Sequence, residues 1–395
     1  MTVRGLSSYR YFKRQRVLTL AVVILVASFL FSLTASALLG FYRGLAAYLG
    51  EGEDIVAVYD RRSRTPFTGL VPAYLADRLA AAEGVVASSP EVIAPCVVKG
   101  QPVFVRGVIL ERLVELNPLA VEGASASLEG AGSAIVGRSL AERLGLKPGD
   151  RVLVLGVLAD RYLELQVEGL FVSGSALDDE ILVPLYVGQW LRGVDYGSVT
   201  LIRLKLDRGV VTPAEIFEVV AAEASRPSGA GGGRGEAEAP RYAPRWVARS
   251  FSLEDVGVEE ASTLMKSYME RYGVREEVLL AISLTVFLFS SSVVVLASKT
   301  VVAQHRSEVE VLRALGAAKR LLKVDMLLKL LPWGAAFSLA GWLAASAFLL
   351  TVQRHGYLQV LSHTVPFQLD FLVLALSLFL SAALLSLGVL ESEVG

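Results

Sequence analysis

The glycine-rich run at residues 228–235 is a candidate nucleotide-binding loop, because glycine-rich loops can bind phosphates through their backbone N–H groups. A nucleotide-binding loop needs a strand before it, a helix after it and usually a Gly-Lys-Ser/Thr ending. Here Arg226-Pro227 precedes the run and Glu236-Ala237-Glu238 follows it. These flanks favour a flexible surface linker, at about residues 226–243, over a nucleotide site.

Other residues could bind a metal or react, but each group has a simpler interpretation. Asp178, Asp179 and Glu180 offer oxygen ligands for a hard cation, yet consecutive acids before a strand are usually a solvated turn. Cys96 lies in a strand pattern, which favours a small core residue over a reactive thiol. The histidines lack the spacing of a shared metal site: His305, His355 and His363. We therefore expect no catalytic residue, metal or cofactor in this chain.

The most informative polar segment is residues 304–320, QHRSEVEVLRALGAAKR. On a helix at roughly 100° per residue, its apolar side chains form one arc: Val309, Val311, Leu312 and Leu315. Glu308 falls inside this arc, Glu310 and Arg313 lie on the other side, and Gly316 can end the helix. Such a helix suits docking into a groove of a soluble partner. It equally suits an interfacial helix lying on lipid, and the spacing alone leaves both open.

Hydropathy identifies the elements that flank this segment. Of 395 residues, 53% are hydrophobic and 19% charged, with a mean hydropathy of +0.53, which indicates a membrane protein. A helix needs about 20 apolar residues to cross a bilayer. The charge-free stretches of that length are residues 17–39, 278–298, 330–352 and 371–390. We place transmembrane helices at residues 17–42, 278–298, 327–352 and 371–390.

The distribution of positive charge predicts the orientation. Lys and Arg are concentrated in residues 1–16 and in residues 299–326, whereas only Arg354 lies in the loop at residues 353–370. Because cytoplasmic flanks hold positive charge, both termini, including the tail at residues 391–395, are expected in the cytoplasm of a multi-pass plasma-membrane protein. The totals of 38 basic and 39 acidic residues leave no basic face that would argue for nucleic acid.

The region between the first two spans predicts a large α+β extracytoplasmic domain at residues 43–252, followed by a helical stalk at residues 253–277. Branched and aromatic residues mark the strand candidates: Ile55–Tyr59, Val92–Val98, Val103–Val108, Val152–Leu155, Tyr162–Leu170 and Val199–Leu206. Start and stop signals mark helices: Pro72 to Gly84, Ser139 to Gly145, and Pro213 to about Ala224. A single cysteine cannot form an intrachain disulfide, so a hydrophobic core must hold this domain.

Two sequence motifs carry a family resemblance. The pattern RSEVEVLRALGA, residues 306–317, resembles R-x-E-I-x-x-L-R-A-x-G-A/S of FtsX-like permeases and stands just after the second span, where that family has it. Residues 135–150 and 178–185 resemble the periplasmic core of MacB-type permeases. Together with the arrangement of one span before the domain and three after it, the resemblance to this ABC transporter permease family covers nearly the whole chain.

The resemblance implies a permease that works as a homodimer or a heterodimer among membrane lipids, with a separate ABC ATPase that binds ATP and Mg. It also implies which residues meet the ATPase: Arg306, Glu308, Glu310, Leu312, Arg313, Leu315 and Gly316. ATP-driven motion of the spans would reach the extracytoplasmic domain, to export or extract a hydrophobic compound, a peptide or a lipoprotein. Two alternatives are an FtsX-like regulator of a cell-wall hydrolase and a membrane sensor or scaffold without an ATPase.

Overall fold

The structure, a computed structural model, divides into two compact units. It describes residues 14–50, 52–63, 65–122, 128–224, 255–354, 357, 359–360, 363–365, 367 and 369–392. Unit 1 comprises Met1–Tyr42, Gly273–Leu358 and Val365–Gly395, and unit 2 comprises Arg43–Tyr272 and Gln359–Thr364. Some sequence predictions lie outside the described residues: the basic N-terminus through residue 13, the linker at 226–243, His355, and residues 393–395 of the tail.

The described chain contains both helices and strands. The helices are α1 (Arg14–Ala46), α2 (Leu75–Ala80), α3 (Leu110–Leu116), α4 (Arg138–Leu144), α5 (Leu185–Arg192), α6 (Pro213–Ala224), α7 (Ala261–Arg271), α8 (Glu276–Gln304), α9 (Arg306–Ala314), α10 (Lys319–Arg354) and α11 (Phe371–Glu391). The strands are β1 (Ile55–Asp60), β2 (Val71–Pro72), β3 (Val85–Val98), β4 (Gln101–Val108), β5 (Ala120–Glu122), β6 (Ser133–Gly137), β7 (Arg151–Gly156), β8 (Arg161–Val172), β9 (Ile181–Pro184), β10 (Ser198–Val199), β11 (Leu201–Leu206), β12 (Val256–Glu260), β13 (Gln359–Val360) and β14 (His363–Thr364).

Unit 1 is built from long apolar helices. In the described part of the chain, four helices are long and apolar enough to cross a membrane: α1, α8, α10 and α11. Side chains from all of them share one buried cluster, which includes Ile24, Val294, Met326 and Leu385. Gly341 lets α10 approach α1 closely, because a Cβ there would lie 2.6 Å from the carbonyl oxygen of Leu25.

Hydroxyl groups also link three helices inside unit 1. Ser28 of α1 donates to the carbonyl oxygen of Ser338 in α10 at 2.7 Å, and its Oγ lies 2.7 Å from Oγ of Ser377 in α11. Ser381 Oγ donates to Ser338 Oγ at 3.3 Å. In lipid, helices associate through close packing of small residues and through hydrogen bonds of this kind. These contacts therefore hold α1, α10 and α11 together.

Unit 2 contains a closed ring of strands. β3 pairs with β4, β4 lies parallel to β9, β9 pairs with β6, β6 lies parallel to β8, and β8 returns to β3 through β7. Alternation along β7 sends Val152 and Val154 into the ring and leaves Leu153 and Leu155 outside. Cys96 is buried in this core, as the sequence predicts. Burial raises the pKa of its thiol to about 12, so the reactive thiolate is scarce at neutral pH.

The rest of the sheet is an antiparallel layer in the order β12-β1-β11-β3. Helices α2 and α6 cover one face of this layer. The other face packs against α3, α7 and the segment that follows α1, through Leu116, Met265 and Leu49. Unit 2 thus confirms the prediction of a large α+β domain.

The structure confirms the strand candidates and corrects two other predictions. All six candidates fall in strands: β1, β3, β4, β7, β8 and the β10–β11 segment. Pro72 lies in β2 and does not open a helix, since α2 begins at Leu75. Within the described part of the segment predicted as a helical stalk, β12 pairs with β1, and the helix starts only at Ala261. Pairing at the sheet edge here outweighs the local helical pattern.

Candidate functional site

The segment predicted to meet a partner forms helix α9, between α8 and α10. The chain bends at His305, whose φ of −109° and ψ of 19° end α8 and begin α9. The ring of His305 is buried, and its Nδ1 lies 2.7 Å from the carbonyl oxygen of Val301. Glu308 stands in the first turn of α9 and Arg313 in the last, where their charges complement the helix dipole.

Gly316 ends α9 in the way the sequence predicts. Its φ of 91° lies in the left-handed region, which favours glycine. The N–H of Gly316 donates to the carbonyl of Arg313 at 2.8 Å, and the N–H of Ala317 donates to the carbonyl of Leu312 at 3.1 Å. This pair of bonds is a Schellman motif, which satisfies the last carbonyls of a helix and fixes the direction in which the chain leaves.

The apolar arc of α9 is divided between two environments. Val309 and Leu312 are buried in the core of unit 1, whereas Val311 and Leu315 are 61% and 67% exposed. The arc is too wide for one side of the helix to bury all of it. The prediction that Leu312 would meet a partner therefore needs correction, because Leu312 faces the core and holds α9 in place.

Charged side chains flank the exposed apolar strip. Arg306 Nε donates to Glu310 Oε1 at 2.9 Å, one turn along the helix, and both side chains are exposed. Ser307 Oγ donates to Glu308 Oε2 at 2.9 Å. Exposed ion pairs of this kind add little to stability. The described α9 thus presents Val311 and Leu315 beside charges of both signs.

A second polar site lies in unit 2, where the sequence interpretation was wrong. The sequence predicts a solvated turn for Asp179 and Glu180, but both side chains are buried. Only Asp178 behaves as expected, because its carboxylate accepts from the backbone N–H groups of Ser173 and Gly174. The acidic run lies at the end of a 3-10 turn that leads directly into the buried strand β9, and this placement draws the other two carboxylates inward.

Glu180 belongs to a buried charge cluster with Glu91, Arg106 and Arg203. Arg106 Nε lies 2.6 Å from Glu180 Oε2, and Arg106 Nη1 lies 2.5 Å from Glu91 Oε2. Arg203 is the fourth member of the cluster, and its Nε lies 2.6 Å from Glu91 Oε1. Two arginines and two glutamates balance in formal charge, which is the condition for burying ions in an apolar domain.

The surroundings of Glu180 and Arg106 within the buried charge cluster shift the pKa values of both groups. Burial by itself raises the pKa of the Glu180 carboxyl, but the charge of Arg106 and hydrogen bonds from His363 and Arg106 outweigh burial, so that this pKa lies far below its usual range. Burial lowers the pKa of the Arg106 guanidinium, whereas Glu180, Tyr48 and Glu91 raise it, and the net direction is upward. The carboxylate of Glu180 and the guanidinium of Arg106 therefore both carry charge at neutral pH.

Two residues from distant parts of the chain join Glu180. The phenol of Tyr48 donates to Glu180 Oε1, and burial together with the charge of Glu180 raises the pKa of Tyr48 well above its usual value. His363 Nε2 lies 3.1 Å from the same oxygen. Next to them, Asp179 accepts from Arg143 Nη1 at 2.5 Å and from the backbone N–H of Thr364 at 2.7 Å.

One sequence signal could have revealed the buried charge cluster. Arg106 and Arg203 stand inside strand patterns, FVRGV and LIRLK, with branched residues on both sides. A charge in a strand that is buried on both faces must be paired. Among the described residues, no group of three or more His, Cys, Asp or Glu side chains could hold a metal ion, and the absence of a cofactor stays a prediction.

Comparison with protein families finds a match over the C-terminal part of the chain. Residues 280–392, which include α9 and most of α8, match the model of the FtsX-like permease C-terminal family. This match confirms the resemblance found in residues 306–317. No curated protein matches the chain.

Solved structures of transporter domains resemble part of the chain. The extracellular domain of the noncanonic ABC-type transporter YknZ from Gram-positive bacteria is 15% identical, with a TM-score of 0.32 over 42% of this chain and 88% of that one. The periplasmic region of MacB from Actinobacillus actinomycetemcomitans is 12% identical, with a TM-score of 0.35 over 54% and 92%. A domain of a permease protein from Porphyromonas gingivalis is 12% identical, with a TM-score of 0.30 over 42% and 78%. At these values the likeness carries no argument for activity.

Proposed function

We propose that this membrane protein, whose residues 280–392 match the FtsX-like permease C-terminal family, is the permease subunit of an ABC transporter. A separate ABC ATPase binds ATP and Mg, and this chain converts the motion of the ATPase into motion of unit 2. The proposal rests chiefly on α9, a short helix inside the matched region with exposed apolar side chains.

The shape of α9 supports docking to a soluble partner over lying on lipid. A helix on a lipid surface needs a broad apolar face and a polar face rich in Lys and Arg. The large exposed apolar side chains here are Val311 in α9 and Leu315 at its C-terminal cap, because Val309 and Leu312 are buried. Charges of both signs flank the strip, and such charges can pair across a protein interface.

Positive charge supports a cytoplasmic position for α9. Lys299, Lys319, Arg320 and Lys323 lie near it in sequence, and cytoplasmic flanks are rich in such residues. The end of α11 belongs to the same side, because Lys299 Nζ lies 2.7 Å from Glu391 Oε2. In this topology one span precedes the main segment of unit 2, Arg43–Tyr272, and three follow it, both termini are cytoplasmic, and unit 2 is extracytoplasmic.

The proposed transporter works as a dimer of permeases, either identical or related. Phe289 and Leu296 of α8 are exposed in the single chain, so lipid or a second permease covers them. The substrate we propose is a hydrophobic compound, a peptide or a lipoprotein that unit 2 takes from the outer face of the membrane.

The experiment is co-purification in mild detergent with a co-expressed candidate ABC ATPase. The test variant is Val311→Asp with Leu315→Asp. The matched control is Leu153→Asp, which makes the same kind of change in unit 2 at a residue that is 59% exposed. We expect the wild type and the control to retain the ATPase and stimulate its turnover, and the test variant to bind at least about tenfold more weakly.

A folded wild-type chain that retains none of the candidate ATPases would contradict the proposal. A membrane sensor or scaffold would then be the better description. Equal loss of binding in the Leu153→Asp control would show that the effect does not come from α9.

A further inference from the structure

Unit 2 connects to the membrane helices of unit 1 at three places in the sequence. The first follows Tyr42, within α1, and the second precedes Gly273, ahead of α8. The third is the short segment Gln359–Thr364, which lies between α10 and α11 in the chain but belongs to unit 2. It contains the paired strands β13 and β14, and we call it the 359–364 hairpin.

One aromatic cluster joins residues from all three connections. The aromatic cluster consists of Tyr48 from the segment after α1, Tyr268 from α7 ahead of α8, His363 from the 359–364 hairpin, and Phe67 and Phe104 from the body of unit 2. Each ring contacts the next, which forms a continuous row from Tyr268 to His363. Tyr268 lies 6.3 Å from Phe67, Phe67 lies 5.2 Å from Tyr48, and Tyr48 lies 4.9 Å from His363, measured between ring centroids.

The buried charge cluster supports the aromatic cluster from one side. Tyr48 and His363 both contact Glu180 Oε1, so a single carboxylate holds rings from two of the three connections. Arg106 pairs with Glu180 and places its guanidinium carbon 5.3 Å from the centroid of the Tyr48 ring. Phe104 stacks on His363 at 5.5 Å with an interplanar angle of 20°.

The 359–364 hairpin has a second attachment beside His363. Thr364 donates its backbone N–H and its hydroxyl to Asp179 Oδ2, and Arg143 fixes Asp179 through the other carboxylate oxygen. The side chain of His363 in this hairpin is buried. Burial and charge-assisted bonds therefore attach this hairpin to unit 2 at two adjacent residues.

We propose that the aromatic cluster is the place where movement of the membrane helices is transmitted to unit 2, and that His363 and Thr364 anchor the 359–364 hairpin there. This inference rests on the proposed function, because it identifies the route of the transmitted motion. Closely packed side chains have low compressibility and transmit strain, so we expect a shift of one connection to move the other two. The anchor makes the connection between α10 and α11 part of this route.

The first experiment tests the anchor in the full chain in lipid nanodiscs, without any ATPase. Amide hydrogen exchange is followed in the peptide that spans residues 357–370. We expect His363→Ala to speed exchange in this peptide at least about tenfold. Without the contact between His363 and Glu180, local opening of the hairpin costs less free energy. His363→Gln, which keeps an N–H donor, should restore much of the protection. Tyr162→Leu, which removes a ring that is 69% exposed in β8, should leave exchange unchanged.

Thr364→Val is a milder second variant, which keeps the test decisive if His363→Ala unfolds unit 2. Thr364→Val removes only the hydroxyl bond to Asp179 and keeps the backbone N–H bond, so it should speed exchange in the same peptide by a few fold. Unchanged exchange in both His363→Ala and Thr364→Val would overturn the anchor.

The second experiment tests transmission, with the co-expressed candidate ATPase and ATP. We expect His363→Ala and Tyr268→Leu to retain the ATPase as the wild type does, but to lose most of the ATP-dependent change in hydrogen exchange within β1 and β12. The control Tyr162→Leu should keep that change. An unaltered ATP response in both variants would overturn the proposed route. Failure of every chain, wild type included, to bind an ATPase would instead contradict the proposed function, and the first experiment would still decide whether the hairpin is anchored.

Discussion

Helix α9 and the buried charge cluster use the same residue types in opposite ways. In α9, Arg306 and Glu310 form an ion pair whose side chains are 68% and 55% exposed. In unit 2, Arg106 and Glu180 form an ion pair whose side chains are both fully buried. An exposed pair can exchange its partner for another molecule at little cost, whereas a buried pair cannot be separated without leaving a charge in an apolar core.

This difference separates two functions. In the proposed function the exposed charges of α9 serve recognition, whereas Glu180 of the buried charge cluster contacts Tyr48 and His363. Substitutions in unit 2 should therefore chiefly affect folding and transmission. Substitutions on the exposed strip of α9 should chiefly affect partner binding.

The largest effect is expected from Arg106→Met. This change leaves Glu91 and Glu180 without their shared cation and should destabilise unit 2 by about 3–5 kcal/mol. Hydrogen exchange of β3 and β4 in the full chain measures this loss. The control Arg151→Met removes an exposed arginine 3.7 Å from Glu164 and should stay within about 0.5 kcal/mol of wild type. Equal effects of the two variants would remove the distinction between buried and exposed pairs.

Acid should also destabilise unit 2, because protonation of Glu180 weakens its contacts with Arg106, Tyr48 and His363. The pKa of Glu180 is lower in the folded protein than in the unfolded chain, so the unfolded chain binds the proton first as the pH falls. The stabilisation from Glu180 is therefore complete above about pH 4.3 and declines as the pH drops further toward the folded-state pKa. Limited proteolysis of unit 2 across that range measures this decline. Glu180→Gln should show a smaller acid dependence, and an identical dependence would argue against this role for Glu180.

A smaller loss of stability is expected on the buried face of α9, and almost none on its exposed face. Leu312→Ala opens space in the core of unit 1 and should destabilise α9 by about 2–3 kcal/mol. Leu315→Ala, on the exposed strip, should change stability by less than about 0.5 kcal/mol. The thermal unfolding midpoint of the full chain, together with hydrogen exchange in the α9 peptide, tests both. A loss of stability in Leu315→Ala as large as that in Leu312→Ala would show that the strip is not free for a partner.

The smallest effect is expected at the end of α9. Gly316→Ala places a Cβ on a residue with φ of 91° and should cost about 1 kcal/mol. The last turn of α9 should then exchange its amide hydrogens about fivefold faster than in wild type. Ala318→Ser, just beyond the turn, serves as the control and should have no such effect. Equal exchange in Gly316→Ala and wild type would mean that the turn does not fix this end of the helix.

Local pattern was sufficient for much of the fold. Hydropathy located the four apolar helices, and alternation located strands such as β7 and β8. The left-handed Gly316 also followed from sequence, because a C-cap needs only neighbouring residues. The strand candidates omit short buried strands such as β6, SAIVG, because a short apolar run has no period that distinguishes strand from helix.

Some features of the two candidate sites could be predicted from the sequence, and others depend on tertiary packing. The position of α9 and its charged residues followed from spacing and from the family resemblance, since both depend on adjacent residues. The split of its apolar arc did not, because only the packing of unit 1 determines that Leu312 is buried and Leu315 exposed. For the acidic run at residues 178–180, composition indicated a solvated turn, and the pairing of Glu180 with a strand far away in sequence reversed that prediction.

The sequence alone determined that the chain contains four apolar helices, an α+β domain and a short amphipathic helix between two of the long helices. These features depend on hydropathy and on local backbone preferences. Only the tertiary structure decided which charges are buried and which rings meet. Glu180 is 132 residues from Tyr48 and 183 residues from His363 along the chain, and no local pattern can bring residues at such separations to one carboxylate oxygen.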